Sequence, residues 1–201
     1  MPDPTPIQGL LQQTQNLIES KVEEIKAEWD KVSREIVDIT GRRWVMRLSI
    51  GSFEDVKRAT GIDLYTLDQG EPTMQEVLYS DLNRLAGVFF AILQRQHPDV
   101  TLDDFLHSMG SATHFDANRA FCAELLDFFQ QARRPDLAEQ LLTIAAIIEV
   151  GAIQSQQEMV NPEMATGLDL AEFFETMTEA LKDHIRTGLE LQSGSEPVSQ
   201  E

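Results

Sequence analysis

The chain has 201 residues, 42% of them hydrophobic and 25% charged, a globular mixture large enough for one domain with a small appendage and unlike a disordered or fibrous chain. Its formal charge of -18 argues against a nucleic-acid partner, because phosphates would meet repulsion over most of the surface. The longest uninterrupted apolar run, Leu85 to Leu93, is less than half of the roughly 20 residues that a spanning helix needs, so no membrane association is expected.

The opening MPDPTPIQG lacks the basic and apolar regions of a secretory signal, and the single Cys122 cannot form an internal disulfide. Both point to a protein that stays in a reducing cytoplasm. Residues Ile18, Val22, Ile25, Trp29, Val32 and Ile36 alternate spacings of four and three, the seam of a two-faced helix. Such a seam packs either on its own domain or on another chain, so Ile18, Val22, Ile25, Trp29 and Val32 are candidate self-association residues.

The period then changes. Trp44, Met46, Leu48 and Ile50 alternate with polar or smaller positions, as on one face of a strand. The β-branched run EIVDIT (35–40) can pair with it through Thr40, Gly41 and Arg42. Ile36 is therefore claimed by both helix and strand, with the break near Ser33 to Val37. The strand is expected to bury Trp44 against Leu85, Val88, Phe89 and Ile92 of a later helix.

Helical signals dominate from Ser52 onward. Ser52 with Asp55, Thr73 with Glu76, Thr101 with Asp104 and Asp169 with Glu172 place an N-cap side chain three residues before a carboxylate. Val100 with Phe105 and Leu168 with Phe173 are positioned as hydrophobic staples. Gly61 closes a short helix near 53–60, and His97-Pro98 closes a long one near 74–96. Further helices are expected near 102–109, 115–132, 136–158 and 169–189. The fold class is thus mainly α: six to seven helices with one small strand or hairpin near residues 35–50. The expected organisation is an N-terminal amphipathic helix (1–35), a helical core (36–158), a C-terminal amphipathic helix (159–192) after a hinge near Gln154 to Gly167, and a disordered tail (193–201).

Few residues suggest chemistry. Asp104 and His107 sit three apart on one helical face, but the Glu-x-x-His pairs of a carboxylate-bridged di-metal site do not occur. His97, His107, His114 and Cys122 lack the paired spacing of a structural zinc site, and Cys122 lies among apolar helical residues where thiols are inert. No phosphate loop, nucleotide fingerprint or nucleophile elbow is present. No catalytic residue, metal or cofactor is therefore expected, and a binding protein is favoured over an enzyme.

Apolar residues say more. Phe128-Phe129 and Phe173-Phe174 are adjacent aromatics, and neighbours about 100° apart rarely share one narrow core stripe. Either the buried face is wide or one member of each pair meets a partner. In the C-terminal segment Phe173, Phe174, Met177, Leu181, Ile185 and Leu189 oppose Glu172, Glu175, Glu179 and Asp183. The candidate partner-binding residues are Phe128, Phe129, Phe173, Phe174, Met177 and Leu181. Residues 136–201 carry 13 acidic and 2 basic side chains, which either keep the protein dispersed or steer a basic partner.

The run GRRWVMRLSI (41–50), followed by FEDVKRATGIDL (53–64), resembles small phage and prophage proteins in which a Gly-Arg-x-Trp strand leads into a helix ending Thr-Gly-x-(Asp/Asn)-Leu. The continuation is similar too: a long helix over Leu82–Gln96, LDDF (102–105) with Gly110 soon after, and Ala117–Phe129 before Arg133 and Arg134. This order resembles the tail assembly chaperones of long-tailed phages, over Gly41 to Arg134, less than half of the chain. The resemblance implies a non-enzymatic protein of the host-cell cytoplasm that shields apolar helical segments of a tail structural protein, the tape measure. It also implies self-association, and so favours a homo-oligomer through the N-terminal seam. The alternative function is an acidic structural or decoy protein that binds a basic partner.

Overall fold

The structure, a computed structural model, describes the backbone of residues 6–67 and 72–160 and the side chains of 14–67, 72–79 and 81–152. It is mainly helical with a two-stranded antiparallel sheet. Two compact units divide within the last described helix: Met1–Ala146, and Ile147 onward.

Helix α1, Pro6–Trp29, carries the seam. Ile18, Ile25 and Trp29 are buried and Val22 and Val32 are half-buried, with α1 lying against helix α5 (Ser111–Gln131). Each fully buried side chain contributes about 1.5–3 kcal/mol. The seam thus packs on the chain's own body, with Val22 and Val32 left partly exposed, and α1 belongs to the first compact unit.

The helix stops at Trp29, earlier than the periodicity suggests, because Arg34 caps its end. The guanidinium donates Nη1 to the carbonyls of Trp29 (3.0 Å) and Val32 (2.9 Å), Nε to Glu124 (2.9 Å) and Nη2 to Asp127 (2.7 Å). Those last two carboxylates lie on α5, so one side chain ties the α1 terminus to the central helix. Ile36 falls to the sheet.

Strands β1 (Glu35–Val37) and β2 (Arg43–Val45) pair with Ile36 opposite Trp44. Their turn is organised by Asp38, whose side chain is buried. Its Oδ1 accepts from Thr40 N (2.9 Å), Thr40 Oγ1 (2.6 Å) and Arg42 N (3.0 Å), and its Oδ2 accepts from Trp44 Nε1 (2.9 Å). Gly41 takes φ +83°, a conformation that side chains other than glycine resist.

The strand is shorter than the alternation suggests. Trp44 and Met46 are fully buried, but Leu48 is half-buried and Ile50 is 69% exposed and opens helix α2 (Ile50–Thr60). Ser49 in extended conformation is the N-cap, accepting from Ser52 N, so the expected cap at Ser52 lies three residues inside the true start. Gly61 ends α2 in the left-handed conformation, as expected.

Thr73 and Glu76 do form a capping box. The helix they start passes into a π-helical turn, Glu76–Ser80, and breaks at Asp81. Asp81 then caps helix α3, Leu82–Leu93, through Asn83 N and Arg84 N. The expected helix over 74–96 is therefore two pieces followed by a 3-10 turn, Gln94–Gln96. Helix α4, Leu102–Ser108, starts with the Thr101–Asp104 capping box, with Val100 and Phe105 both buried beside it. Trp44 packs edge-on against Phe105 (5.2 Å between centroids) and His97 (4.6 Å), and Phe105 in turn meets Phe90 of α3. Leu85, Val88, Phe89 and Ile92 of α3, expected to cover Trp44, are all buried.

Helix α5 is the central element, burying Ala117, Ala120, Phe121, Leu125 and Phe129 among others. It ends at Arg133, which holds φ +57° where glycine is usual, while Arg134 N bonds Phe129 O. Helix α6, Pro135–Val160, then buries Leu137, Leu141 and Ala145 in the first unit. It continues through the first part of the segment expected to be a hinge.

Candidate interaction site

An open groove of about 800 Å³ runs between the C-terminal half of α1, strand β1 and the N-terminal half of α5. Glu24 and Glu28 come from α1, Lys31 from the turn after it, Glu35, Ile36 and Val37 from β1, and Asp116 and Arg119 from α5. Arg119 pairs with Glu28 between α5 and α1, and its guanidinium lies over the exposed Phe115 ring (5.8 Å to the centroid). Glu24 pairs with Lys21 and Glu35 with Arg43. Val37 and Ile39 are large apolar side chains left 52% and 68% exposed. Val37 lines the groove, and Ile39 lies just beyond the end of β1.

The two sheet edges differ. On the outer side of β2 the Gln96 amide donates Nε2 to Val45 O (2.8 Å) and accepts at Oε1 from Val45 N (2.8 Å), as a neighbouring strand would. His97 Nε2 donates to Arg43 O (2.9 Å). The outer side of β1 faces the groove instead. A sheet edge with unmet main-chain groups is a template for an extended chain.

The other candidates fall out as follows. Phe129 is fully buried and offers no surface to a partner; Phe128 is half-buried, its ring 4.3 Å from Phe53 and 5.8 Å from Tyr65. The wide buried face accounts for this pair, and their assignment to a partner surface is corrected for Phe129. Phe173, Phe174, Met177 and Leu181 lie outside the described residues, as do the Asp169 cap, the segment 159–192 beyond its first two residues, and 193–201.

His97, His107 and His114 each bond a different main-chain carbonyl, of Arg43, Asp103 and Leu82. Among the described residues no group of three or more His, Cys, Asp or Glu side chains is placed to hold a metal ion. Burial pushes the Cys122 thiol up to about 12, against the opposing hydrogen bond with Tyr79, so it stays protonated at neutral pH. No described helix is long and apolar enough to cross a membrane.

Sequence reading found the strand but not the groove. The run EIVDIT signalled β1, yet which edge stays open depends on Gln96, 51 residues from Val45. Comparison of the chain with protein-family models, with curated proteins and with solved structures gave no match.

Proposed function

We propose that this protein is an assembly chaperone or adaptor without enzymatic activity, whose groove between α1, β1 and α5 holds a segment of a phage-tail structural protein, the tape measure. The observation that carries this reading is the open groove along β1, with Val37, Ile39 and Phe115 exposed beside it. Apolar side chains of a bound segment would gain about 25 cal/mol for each Å² removed from water. The net charge of -18 would keep the loaded complex dispersed. The segment that resembles tail assembly chaperones, Gly41 to Arg134, supplies β2, the α5 wall of the groove and the Gln96 side chain that leaves only β1 open.

Co-expression with a phage tape-measure protein tests the reading. The tape measure should co-purify and gain solubility; if it does neither, the reading fails. A complex that forms but dissolves steeply as salt rises would favour the acidic decoy function instead.

A further inference from the structure

Four charged side chains of the groove stand as two neighbouring couples. Glu28 and Lys31 are three residues apart at the end of α1, where Lys31 N bonds Glu28 O (3.0 Å) and carries the chain through one more turn. Asp116 and Arg119 are three apart on α5. Side chains at that spacing are neighbours, so each wall holds a carboxylate and a cation within reach of one another. The structure pairs them otherwise. Arg119 crosses from α5 to Glu28 on α1, and the side chains of Lys31 and Asp116 make no ion pair among the described residues. The crossing pair lies at the rim: the Glu28 and Arg119 side chains are 47% and 35% exposed, whereas Ile36, which lines the same groove, is buried.

Arg119 has a second carboxylate to meet. Helical side chains lean toward the N-terminus of their helix, and the Arg119 guanidinium already lies over the Phe115 ring one turn back (5.8 Å). Asp116 is on that same turn. Rotation of the side chain takes Arg119 from Glu28 to Asp116 and frees Glu28 for Lys31. The helices stay where they are, because Ile25 and Trp29 are buried and Arg34 ties the end of α1 to Glu124 and Asp127. The exchange is close to balanced. An exposed ion pair shifts an equilibrium by about 1.4- to 5-fold. A same-helix pair at this spacing gives about 1.4- to 2.3-fold, so two together give about 2- to 5-fold. One pair across the groove is traded for two weaker pairs of similar total, and a small bias decides which set forms.

We propose that Arg119 is a two-position strap over the groove: joined to Glu28 it bridges the α1 and α5 walls at the rim, and turned onto Asp116, with Glu28 passing to Lys31, it clears the span above Ile36. The proposal names a regulation of the groove and rests on the chaperone reading for what enters it.

The test measures how far a neutral gadolinium chelate in solution speeds relaxation of the Ile36 methyl groups in the methyl-labelled full chain. Glu28→Gln removes the bridged position and should raise the effect by about 1.5-fold or more. Asp116→Asn removes the retracted position and should lower it. Reversing the pair, Glu28→Arg with Arg119→Glu, keeps the bridge but turns both same-side alternatives into like-charge contacts, so the effect should fall below wild type. Glu23→Gln, the same charge change on α1 outside the groove, should leave it unaltered. Equal relaxation in wild type, Glu28→Gln and Asp116→Asn overturns the strap, as does a reversed pair that matches wild type; if the reversed protein fails to fold, the two single variants decide. Tape-measure protein that co-purifies with wild type while Ile36 ignores these substitutions would overturn the strap and leave the chaperone reading standing. The expected Ile36 responses with no tape measure retained would support the strap and sink that reading.

Discussion

Replacing Asp38 by asparagine isolates the charge at the centre of the hairpin. Burial raises the Asp38 pKa, but the hydroxyl of Thr40, the indole of Trp44 and the amides of Arg42 and Thr40 outweigh it and hold the group at about 2 against an ordinary 3.8. At 1.36 kcal/mol per pH unit that difference amounts to roughly 2–3 kcal/mol of stability from the charged form. Geometry gives a similar figure. Oδ1 accepts three donors and Oδ2 one, so the asparagine amide must turn its NH₂ toward Trp44 Nε1. That loses a bond to a charged group, worth about 1.5–3 kcal/mol, and leaves an indole N–H buried without an acceptor. Because the folded pKa is depressed, the contribution is complete above about pH 4 and lost as pH falls toward 2. Denaturant unfolding of both proteins between pH 7 and pH 2 is the assay. Asp63, Glu76, Asp104 and Asp136 also have lowered pKa values, but they cancel in the difference between the two proteins. The gap should be about 2–4 kcal/mol at pH 7 and should close by pH 2. A gap below 1 kcal/mol, or one that does not narrow in acid, would refute the reasoning.

Other substitutions probe separate parts of the argument. Trp44→Ala should cost about 3–5 kcal/mol in chemical unfolding, because the indole is fully buried against Phe105 and His97; a loss under 1 kcal/mol would contradict that packing. Ile25→Ala should cost about 2–5 kcal/mol and leave the sedimentation coefficient unchanged, since Ile25 is buried within one chain. A drop in molecular mass would instead show that the α1 seam joins copies. Arg133→Gly should raise stability by about 1 kcal/mol by relieving the left-handed backbone at the end of α5, and thermal unfolding would detect it as a higher midpoint.

What the sequence made legible was local. The boxes Thr73–Glu76 and Thr101–Asp104, the Gly61 stop and the Thr40–Arg42 turn depend on residues within a few positions of one another, and each forms as read. Misplacements arose where a nearby rival or a distant partner decided. Ser49 took the cap from Ser52 because the chain leaves the sheet after Met46, and Leu48 N finds its acceptor on Glu124 of α5. The end of α1 was fixed by Arg34 reaching carboxylates about 90 residues away, which no periodicity encodes. The candidate site is a harder case. Val37, Asp116 and Arg119 are unremarkable in sequence, and only the packing of α1 and α5 beside β1 brings them to one groove.

The Gln96 side chain has a consequence for assembly. A hairpin with two open edges is a bifunctional monomer: it can add a strand on either side, and repeated addition gives a fibre without limit. With the Val45 groups already bonded to Gln96, the sheet has only one reactive end. Any joining through β1 then terminates after a single event, as a chain stopper ends a polymer, giving one partner strand per hairpin or, between copies, a closed pair. A Gln96→Ala protein would regain the second end, and its concentration-dependent growth in light scattering, absent from the wild type, would measure how much that one amide restrains.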